Sequence, residues 1–354
     1  MNRFVVVTNI PSPYRVYFFD ELYKKIGDTF HVLYCARNES NRQWDVPSIH
    51  HPHIFLKTKN VRYNLYWKSN IWSTLSNIKP EAIVTAGFTP VMLKAFLYAK
   101  IYGLKHIVFT DSWKLTVDAL SIWHKLIRKI VFKKTHSFIC IGAKGKEFLE
   151  SFGCQKEKIY ISPIVIDNSE YFQCNKNVEK KYDIVFSGQF IERKMPMFFC
   201  QVLVMLQKHI PSLKVLLLGS GLLLEKTQTI LGQHNIEYNC PGFIQPRLLP
   251  SWYVSCKLML FPTLMDHWGV VANEACAAAL PVITTNESGA ADDLIINKFN
   301  GYVLEPVPEK WCTKTKELLE DNIKREKFAA NSLKQASKYN KNIAISKFME
   351  AINN

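Results

Sequence analysis

The stretch that decides the fold is LMLFPTLMDHWGVVANEACAAALPVITT, residues 258–285. It predicts a buried strand that ends at Pro262, a loop that carries Asp266, a helix that starts near Gly269, and a second buried strand. This order places the start of the helix at the carboxyl edge of a parallel sheet, where α/β proteins bind ligands. The stretch therefore predicts an α/β fold with a ligand site at the helix start.

Two carboxylates interrupt this apolar stretch, Asp266 in the loop and Glu274 about one turn into the helix. The free N–H groups and the positive dipole end of the helix suit a phosphate. The ribose hydroxyls of a nucleotide could donate to Glu274 and offset its desolvation, while Asp266 could accept from hydroxyls beyond the phosphates. A plainer alternative stays open: Glu274 pairs with a Lys or Arg of its own domain, and Asp266 caps the helix.

A second loop of interest is GQFIERK, residues 188–194, which follows a predicted strand. Its adjacent cations, Arg193 and Lys194, fall at the same edge of the sheet, where a diphosphate is a natural ligand. Solvated surface charge is the alternative. The nearby stretch KVLLLGSG, residues 214–221, lacks the third glycine of a dinucleotide fingerprint, so its two glycines are predicted to serve tight turns.

Short β-branched strands alternate with helical stretches through both halves of the chain, as in parallel sheets covered on both faces. The predicted strands are 4–8, 82–85, 106–109, 137–141, 159–161, 182–186, 214–218, 236–238, 257–261 and 281–284. They indicate two doubly wound, Rossmann-like α/β domains. A polar linker places these at 1–170 and 171–335, and we expect the C-terminal helix in 336–354 to pack back on the first domain.

Length and composition agree with two domains of ordinary size, since the chain has 354 residues of which 48% are hydrophobic. Nine cysteines without CxxC pairs look like the reduced thiols of a cytosolic protein. No apolar run reaches the roughly 20 residues that cross a bilayer, and the amino-terminal run is too short for a signal peptide. We therefore expect a protein that is neither secreted nor membrane-spanning.

The net charge is +15, and residues 1–177 hold most of it, with 25 Lys+Arg against 13 Asp+Glu. Such an excess indicates an anionic partner: nucleic acid, a phospholipid surface or a phosphorylated substrate. The cations and aromatic residues form no recognised nucleic-acid module. The first domain is therefore predicted to meet a membrane or a phosphorylated ligand.

A basic amphipathic helix is predicted near residues 123–133. Its apolar side comprises Trp123, Leu126, Ile127, Ile130 and Val131, and its basic side comprises Lys125, Arg128, Lys129 and Lys133. Such a helix suits the surface of an anionic bilayer, and residues 57–68 interleave cations with aromatics in the manner of interfacial segments. We predict a peripheral protein on the inner face of the plasma membrane; a core-facing helix with a solvated basic face is the alternative.

Three further residues of the first domain are candidates for binding a substrate. Tyr14 and Arg15 follow the first strand in PSPYR, and Asp111 follows the strand at 106–109. All three are therefore predicted at the carboxyl edge of the first sheet. A helix cap explains Asp111 almost as well.

The chain resembles the GT-B glycosyltransferases of family 4, a retaining family. The family phrase E-x-F-G-L-x-x-x-E-A-x-A-x-G-x-P-V-I has its counterpart in residues 266–283, and the phrase G-R-L-x-x-x-K has its counterpart in residues 188–194. The likeness extends to Pro241–Phe243 and to NESGAADDL at 286–294. It is specific over the second domain and diffuse over the first, where it is limited to the strand pattern, PSPYR and the phrase at 164–167.

The resemblance implies a role for each matching residue. Glu274 would hold the ribose of a nucleoside diphosphate sugar, Asp266 the sugar hydroxyls, and Lys194 the leaving phosphate. Together with Asp111 they form the candidate catalytic set, while Tyr14, Arg15 and Asp111 are the acceptor candidates. The donor site would comprise Gly188, Gln189, Arg193, Lys194, Gly242, Phe243, Asp266, His267, Trp268, Gly269, Val270 and Glu274. The resemblance implies no metal and no cofactor.

Three departures from the family pattern stand out. Asp266 replaces a glutamate, Gln189 replaces an arginine, and Ala279 replaces a glycine. The overall expectation is a retaining glycosyltransferase that uses a nucleoside diphosphate sugar, a UDP-sugar first of all. Its acceptor would be a lipid-linked or growing bacterial surface polysaccharide or lipopolysaccharide. A GT-B sugar-nucleotide epimerase, a phosphorylase and a basic nucleic-acid binder are the alternatives.

Overall fold

A computed structural model of the chain describes residues 3–39, 42–60, 66–118, 120–174 and 178–354. The chain divides into two compact units, Met1–Val165 with Lys341–Asn354, and Ile166–Asn340. Each unit is built on a parallel sheet with helices in the crossovers. The predicted fold class, α/β with two doubly wound Rossmann-like domains, is confirmed.

The first unit contains a large parallel sheet and a short antiparallel pair. Its strands are β1 (Phe4–Thr8), β2 (Phe30–Tyr34), β3 (His53–Phe55), β4 (Lys59–Asn60), β5 (Tyr66–Lys68), β6 (Ala82–Thr85), β7 (Lys105–Thr110), β8 (Ser137–Cys140) and β9 (Ile159–Ile161). Among the described residues the sheet has the order β3-β2-β1-β6-β7-β8-β9, and β4 pairs with β5. The central strand β1, FVVVT, is buried throughout because both faces of the sheet are covered.

Helices connect these strands and bury their apolar sides against the sheet. They are α1 (Pro13–Ile26), α2 (Ile71–Ile78), α3 (Pro90–Ile101), α4 (Lys114–Asp118), α5 (Ile122–Lys133) and α6 (Ala143–Ser151). Pro13 and Pro90 stand in the first turns of α1 and α3, where a missing N–H costs nothing.

The second unit repeats the plan with a six-stranded sheet, counted over the described residues. Its strands are β10 (Tyr182–Ser187), β11 (Lys214–Leu218), β12 (Glu237–Gly242), β13 (Cys256–Phe261), β14 (Val282–Thr284) and β15 (Gly301–Val303), in the order β12-β11-β10-β13-β14-β15. Its helices are α7 (Asn168–Cys174), α8 (Pro196–Gln207), α9 (Leu224–Gln233), α10 (Leu249–Tyr253), α11 (Val270–Ala277), α12 (Pro308–Glu320) and α13 (Asn322–Lys338). The order places β10 and β13 side by side, so their following loops meet.

The last helix, α14 (Lys341–Asn353), belongs to the first unit. Phe348 packs against Phe4, Phe18 and Phe109, with ring centroids 5.2–6.3 Å apart. Hydrogen bonds reinforce this contact, since Ser162 Oγ donates to the carbonyl oxygen of Ala344 over 2.9 Å. Residues far apart in sequence thereby complete one apolar core.

The unit boundaries lie five residues from those predicted at each end. Helix α7 packs on α10 and α11, and Asn168 Nδ2 donates to the Ala336 carbonyl oxygen over 3.0 Å, so residues 166–170 belong to the second unit. Helix α13 continues to Lys338 along α11, which keeps residues 336–340 there too. Packing partners, rather than the composition of the linker, decide both boundaries.

The structure of helix α5 differs from the predicted basic amphipathic helix at Arg128. Arg128 was placed on the basic side, but the structure buries it, with its guanidinium 4.4 Å from the centre of the Phe88 ring and Nη1 bonded to the His124 carbonyl oxygen over 3.3 Å. Conversely, Trp123 is 71% exposed. The reason is that Val131 and Phe132 fill the core, and Arg128 lies one turn earlier on the same side.

The ten predicted strands correspond to ten observed ones, while β2, β3, β4, β5 and β15 are not among the predictions. Of the predicted interfacial segment 57–68, residues 61–65 lie outside the described residues. Over the described part of the chain, every helix is too short or too polar to span a membrane.

Candidate functional site

Three loops meet at the carboxyl edge of the second sheet, after β10, β13 and β14. The loop after β10 is tied to the loop after β13 because the Arg193 carbonyl oxygen accepts from Leu264 N over 2.9 Å. The loop after β14 is tied to the same element, since Asp266 N donates to the Glu287 carbonyl oxygen over 3.0 Å. Parallel neighbouring strands thus bring together residues about 20 and 70 positions apart in sequence.

The Asp266 carboxylate lies between two cations from the loop after β10. Lys194 Nζ contacts Asp266 Oδ2, and Arg193 Nη1 lies 3.3 Å from the same oxygen. Burial by itself would raise the pKa of Asp266, but Lys194 and Arg193 outweigh it and hold that pKa below its ordinary value. Asp266 is therefore a carboxylate at neutral pH, paired with cations that an anionic ligand could share.

Lys194 is itself buried, which is unusual for a lysine and marks the pair as part of a built site. Its Nζ lies 4.8 Å from the centre of the Phe261 ring, at the end of β13. Arg193 is fixed in a different way, because its Nη1 donates to the Met265 carbonyl oxygen over 2.8 Å. The two adjacent cations are thus held in place by the neighbouring strand and loop.

Helix α11 begins beside this ion pair, at Gly269. Gly269 has a φ of 94°, and a Cβ there would lie 2.5 Å from the Phe261 ring. Only glycine fits this turn. The N-cap residue is Gly269, which has no side chain to cap the helix. Ala272 N donates to the Gly269 carbonyl oxygen over 2.9 Å, so the N–H groups of Val270 and Val271 are the ones that suit a ligand.

Glu274 lies one turn into α11 and is 8% exposed. Tyr253 donates its phenol proton to Glu274 Oε2 over 2.9 Å. Burial raises the pKa of Glu274 to about 7, against the lowering effect of that hydrogen bond. The carboxyl group thus titrates near neutral pH and has one oxygen held by the protein.

These contacts test the two alternative explanations of the acids, an internal ion pair for Glu274 and a helix cap for Asp266. Among the described residues, Glu274 has no Lys or Arg partner, so the predicted alternative of an internal ion pair is wrong. Asp266 accepts from Trp268 N over 3.4 Å, but the capping position of α11 is Gly269. Cationic pairing, rather than helix capping, accounts for Asp266.

Glycines line the same edge of the sheet beyond the ion pair. Gly188 N donates to the Leu218 carbonyl oxygen, and Gly219 N donates to the Gly242 carbonyl oxygen over 2.8 Å. A Cβ on Gly219 would lie 1.9 Å from the carbonyl oxygen of Gly188. The predicted donor residues Gly188 and Gly242 therefore lie at neighbouring strand ends, with Gln189 and half-buried Phe243 next to them in sequence.

His267 and Trp268 connect the loop to the helix. Trp268 is buried and its Nε1 donates to Asn273 Oδ1 over 2.6 Å, which fixes the loop against α11. A Cβ on Gly289 would lie 1.9 Å from the His267 carbonyl oxygen. Both residues shape the backbone around the site.

The first-unit candidates lie at the carboxyl edge of their own sheet. Tyr14 and Arg15 stand in the first turn of α1, and Asp111 directly follows β7. Arg15 stacks on Phe109, with its guanidinium carbon 4.3 Å from the ring centre, and Tyr14, Arg15 and Phe109 line one cleft. That cleft combines apolar walls with a single guanidinium.

Sequence reasoning missed Tyr253 and assigned no role to the segment Glu287–Gly289. Tyr253 sits on the five-residue helix α10, and its sequence surroundings, LPSWYVSC, show no charge or motif. The segment 287–289 carries a glycine five residues after the end of the predicted strand 281–284, which is a usable signal for a close backbone approach.

Comparison with known proteins finds a similarity in this part of the chain. Residues 167–335 match the family model "Glycosyl transferases group 1". The matched range covers the ion pair, the helix α11 and Glu274. The second unit is therefore similar in sequence to this family over almost its whole length.

Two curated relatives are named as glycosyltransferases. The chain is 24% identical over 202 residues to "D-inositol 3-phosphate glycosyltransferase" of Paenarthrobacter aurescens strain TC1, covering 52% of this chain and 48% of that protein. It is 24% identical over 264 residues to "Capsular polysaccharide biosynthesis glycosyltransferase CapM" of Staphylococcus aureus, covering 73% and 66%. The chain thus spans about half to two thirds of the length of these relatives.

A solved structure shares the fold over nearly the whole chain. Anabaena Alr3699/HepE in complex with UDP superposes with a TM-score of 0.80 at 13% identity, covering 99% of both chains. This likeness shows the fold alone, and it agrees with two Rossmann-like domains.

Proposed function

We propose that the chain is a retaining glycosyltransferase that takes its sugar from a nucleoside diphosphate, with UDP as the nucleotide. The observation that carries the proposal is the arrangement of Lys194, Asp266 and Glu274 around the uncapped start of α11. Lys194 contacts Asp266 in the loop before the helix, and one turn into the helix Glu274 has no cationic partner within the part of the chain that the structure describes. In this arrangement the cation and the helix start suit the diphosphate, Asp266 suits the sugar, and Glu274 suits the ribose.

Each part of the donor has a group of matching chemistry. The diphosphate meets Lys194, Arg193 and the N–H groups of α11, which together supply positive charge at the leaving group. Sugar hydroxyls donate to Asp266, which stays ionised, and ribose hydroxyls donate to the Oε1 side of Glu274. Lys194 then exchanges part of its contact with Asp266 for the phosphate.

In the proposed reaction, the bond between the sugar carbon and the diphosphate oxygen breaks while an acceptor hydroxyl attacks the same face of that carbon. The departing phosphate oxygen takes the proton of the hydroxyl. Lys194 and Arg193 neutralise the charge that develops on the diphosphate, so the mechanism assigns no step to a metal, a cofactor or an enzymic nucleophile. Insensitivity of the rate to a chelator checks that assignment.

Support for UDP comes from the relatives. The Anabaena Alr3699/HepE structures hold UDP, and one holds UDP-glucose. CapM, by its name, serves capsular polysaccharide biosynthesis, which favours a surface-glycan or lipid-linked acceptor for this chain. Tyr14, Arg15 and Asp111 are the proposed acceptor residues. The comparisons give no support to the epimerase or phosphorylase alternative.

The decisive test is hydrolysis of UDP-sugars in the absence of acceptor, after thermal-shift screening of UDP-, GDP- and ADP-sugars, because a ligand that binds the folded state raises its stability. Lys194→Ala and Glu274→Ala are expected to abolish hydrolysis. Gly232→Ala, in open space on α9, is the matched control with unchanged activity. Full activity in both site variants would overturn the site assignment.

A peripheral contact with an anionic membrane is part of the proposal. Helix α5 exposes Ile122, Trp123, Leu126 and Ile130 to solvent, while the exposed Lys129 and Lys133 flank them. Burial and the nearby Lys134 both lower the pKa of Lys100 on α3, so the ends of the two helices are neighbours. The exposed Leu97 and Ile101 of α3 add further apolar surface to the first unit.

Vesicle sedimentation tests this face. Leu126→Glu with Ile130→Glu is expected to abolish binding to vesicles that contain anionic lipid, while UDP-sugar hydrolysis stays unchanged. Leu222→Glu is the matched control, because Leu222 is equally apolar and 94% exposed but lies in the second unit. Equal binding by all three proteins would refute the membrane contact.

A further inference from the structure

The Glu274 carboxyl group has a protein partner on one oxygen only. Tyr253 donates to Oε2 over 2.9 Å, whereas among the described residues Oε1 accepts no hydrogen bond. Tyr253 is fully buried, so its phenol has little freedom to seek another acceptor. The contact therefore fixes the direction in which Oε1 points.

The environment of Glu274 consists of aromatic and apolar groups rather than of cations. From α10 it meets Tyr253. From α7 the ring of Tyr171 lies 6.2 Å from that of Tyr253, and burial raises the pKa of Tyr171, as do both Glu274 and Glu170. No charged group of β14 or α13 acts on Glu274 among the described residues. Its own helix is uncharged apart from Glu274 itself.

Tyr253 is in turn held by a second hydroxyl group. The Ser187 side chain, at the end of β10, lowers the pKa of Tyr253 through a hydrogen bond, although burial keeps that pKa well above its ordinary value. Tyr253 is therefore neutral under all working conditions and acts as a hydrogen-bond donor to Glu274. The chain Ser187, Tyr253, Glu274 links the loop after β10 to α11.

A buried carboxyl group with one donor is poorly stabilised as an anion, and two ribose hydroxyls would supply the missing donors. A protonated carboxyl group would instead present an O–H donor to the ribose diol, and the ribose hydroxyls would lose a hydrogen-bond acceptor. Binding of the nucleotide and loss of the proton therefore favour each other.

We propose that Tyr253 is a positioning residue for Glu274, and that a nucleotide sugar binds the ionised form of Glu274 and expels its proton near neutral pH. The inference rests on the proposed function, since it takes Glu274 as the ribose acceptor. It adds a residue outside the family phrases and a proton linked to donor binding.

The experiment is isothermal titration calorimetry with UDP-glucose from pH 5.5 to 9, in buffers of different ionisation enthalpy. UDP-glucose is the probe because its diphosphate is esterified at both ends and keeps its charge over this range. With Glu274 titrating near pH 7, affinity is expected to weaken about tenfold between pH 8 and pH 6, with release of close to one proton at pH 6.

Three variants separate positioning from general damage. Glu274→Gln is expected to make the affinity nearly independent of pH. Tyr253→Phe is expected to move the midpoint of the affinity profile upwards by about one pH unit, because the ionised carboxylate loses the one donor that the described residues give it. Tyr171→Phe, an equally buried phenol beside it, is the control and is expected to leave the midpoint in place.

The outcomes are distinct. A wild-type affinity that does not change with pH, or a Tyr253→Phe midpoint equal to that of the wild type, overturns the inference and leaves the proposed function standing. Failure of the wild-type protein to bind any UDP-, GDP- or ADP-sugar overturns the proposed function, and the inference with it.

Discussion

Replacing Glu274 by glutamine is expected to make the protein more stable while it abolishes activity. The amide is close to the carboxyl group in shape and still accepts from Tyr253 through its oxygen. What it removes is the charge, which lies buried beside one hydrogen-bond donor and no cation among the described residues. An active-site acid of this kind costs the folded state free energy whenever it is ionised.

The magnitude follows from the pKa of Glu274, which burial raises from 4.5 to about 7. Each pH unit between these values corresponds to about 1.4 kcal/mol, so above pH 7 the ionised group lowers the free energy of unfolding by about 3 kcal/mol. Because the folded state holds the proton more tightly than the unfolded chain, this loss develops as the pH rises from about 4.5 to 7. At pH 5 it is below about 1 kcal/mol.

Urea unfolding of wild-type protein and Glu274→Gln at pH 5 and pH 8, followed by tryptophan fluorescence, measures the effect. The variant is expected to gain about 3 kcal/mol at pH 8 and little at pH 5. Asp266→Asn makes the same chemical change in an acid whose pKa is held low by cations, and it is expected to destabilise at both pH values. A Glu274→Gln effect that is the same at pH 5 and pH 8 would refute the reasoning.

Three other substitutions test the geometry of the site. Gly269→Ala combines a φ of 94° with a Cβ 2.5 Å from the Phe261 ring; it is expected to lower the free energy of unfolding by about 2 kcal/mol or more and to weaken UDP binding in a thermal-shift titration. Gly232→Ala, in a helix with open space around it, is expected to stabilise by about 0.5–1 kcal/mol in the same unfolding assay, and destabilisation would contradict the assigned backbone. Lys194→Met keeps the apolar stem but removes one of the two cations, Lys194 and Arg193, that pair with Asp266; UDP-sugar hydrolysis is expected to fall by at least 100-fold, and a rate within a few-fold of wild type would exclude Lys194 from leaving-group stabilisation.

Much of the site was accessible from local patterns. The strand, loop and helix around Gly269, and the separation of Asp266 from Glu274 by seven residues, depend only on the period of hydrophobic residues and on turn chemistry. The same holds for Arg193 and Lys194, which lie in the loop that follows a strand. Parallel topology then requires the two loops to share one sheet edge, so their proximity is predictable without coordinates.

The sequence by itself therefore determined the fold class, the edge of the sheet that carries the site, and the acids and cations that face it. Only the tertiary structure decided how these groups pair. Asp266 pairs with both Arg193 and Lys194, whereas Glu274 accepts a hydrogen bond from Tyr253, a residue without any sequence signal. The tertiary structure also turned Arg128 inward and Trp123 outward on α5. The physical reason is that helical periodicity shows only which face of a helix is more apolar. The burial of a side chain and the choice of its partner depend on side chains from distant segments of the chain.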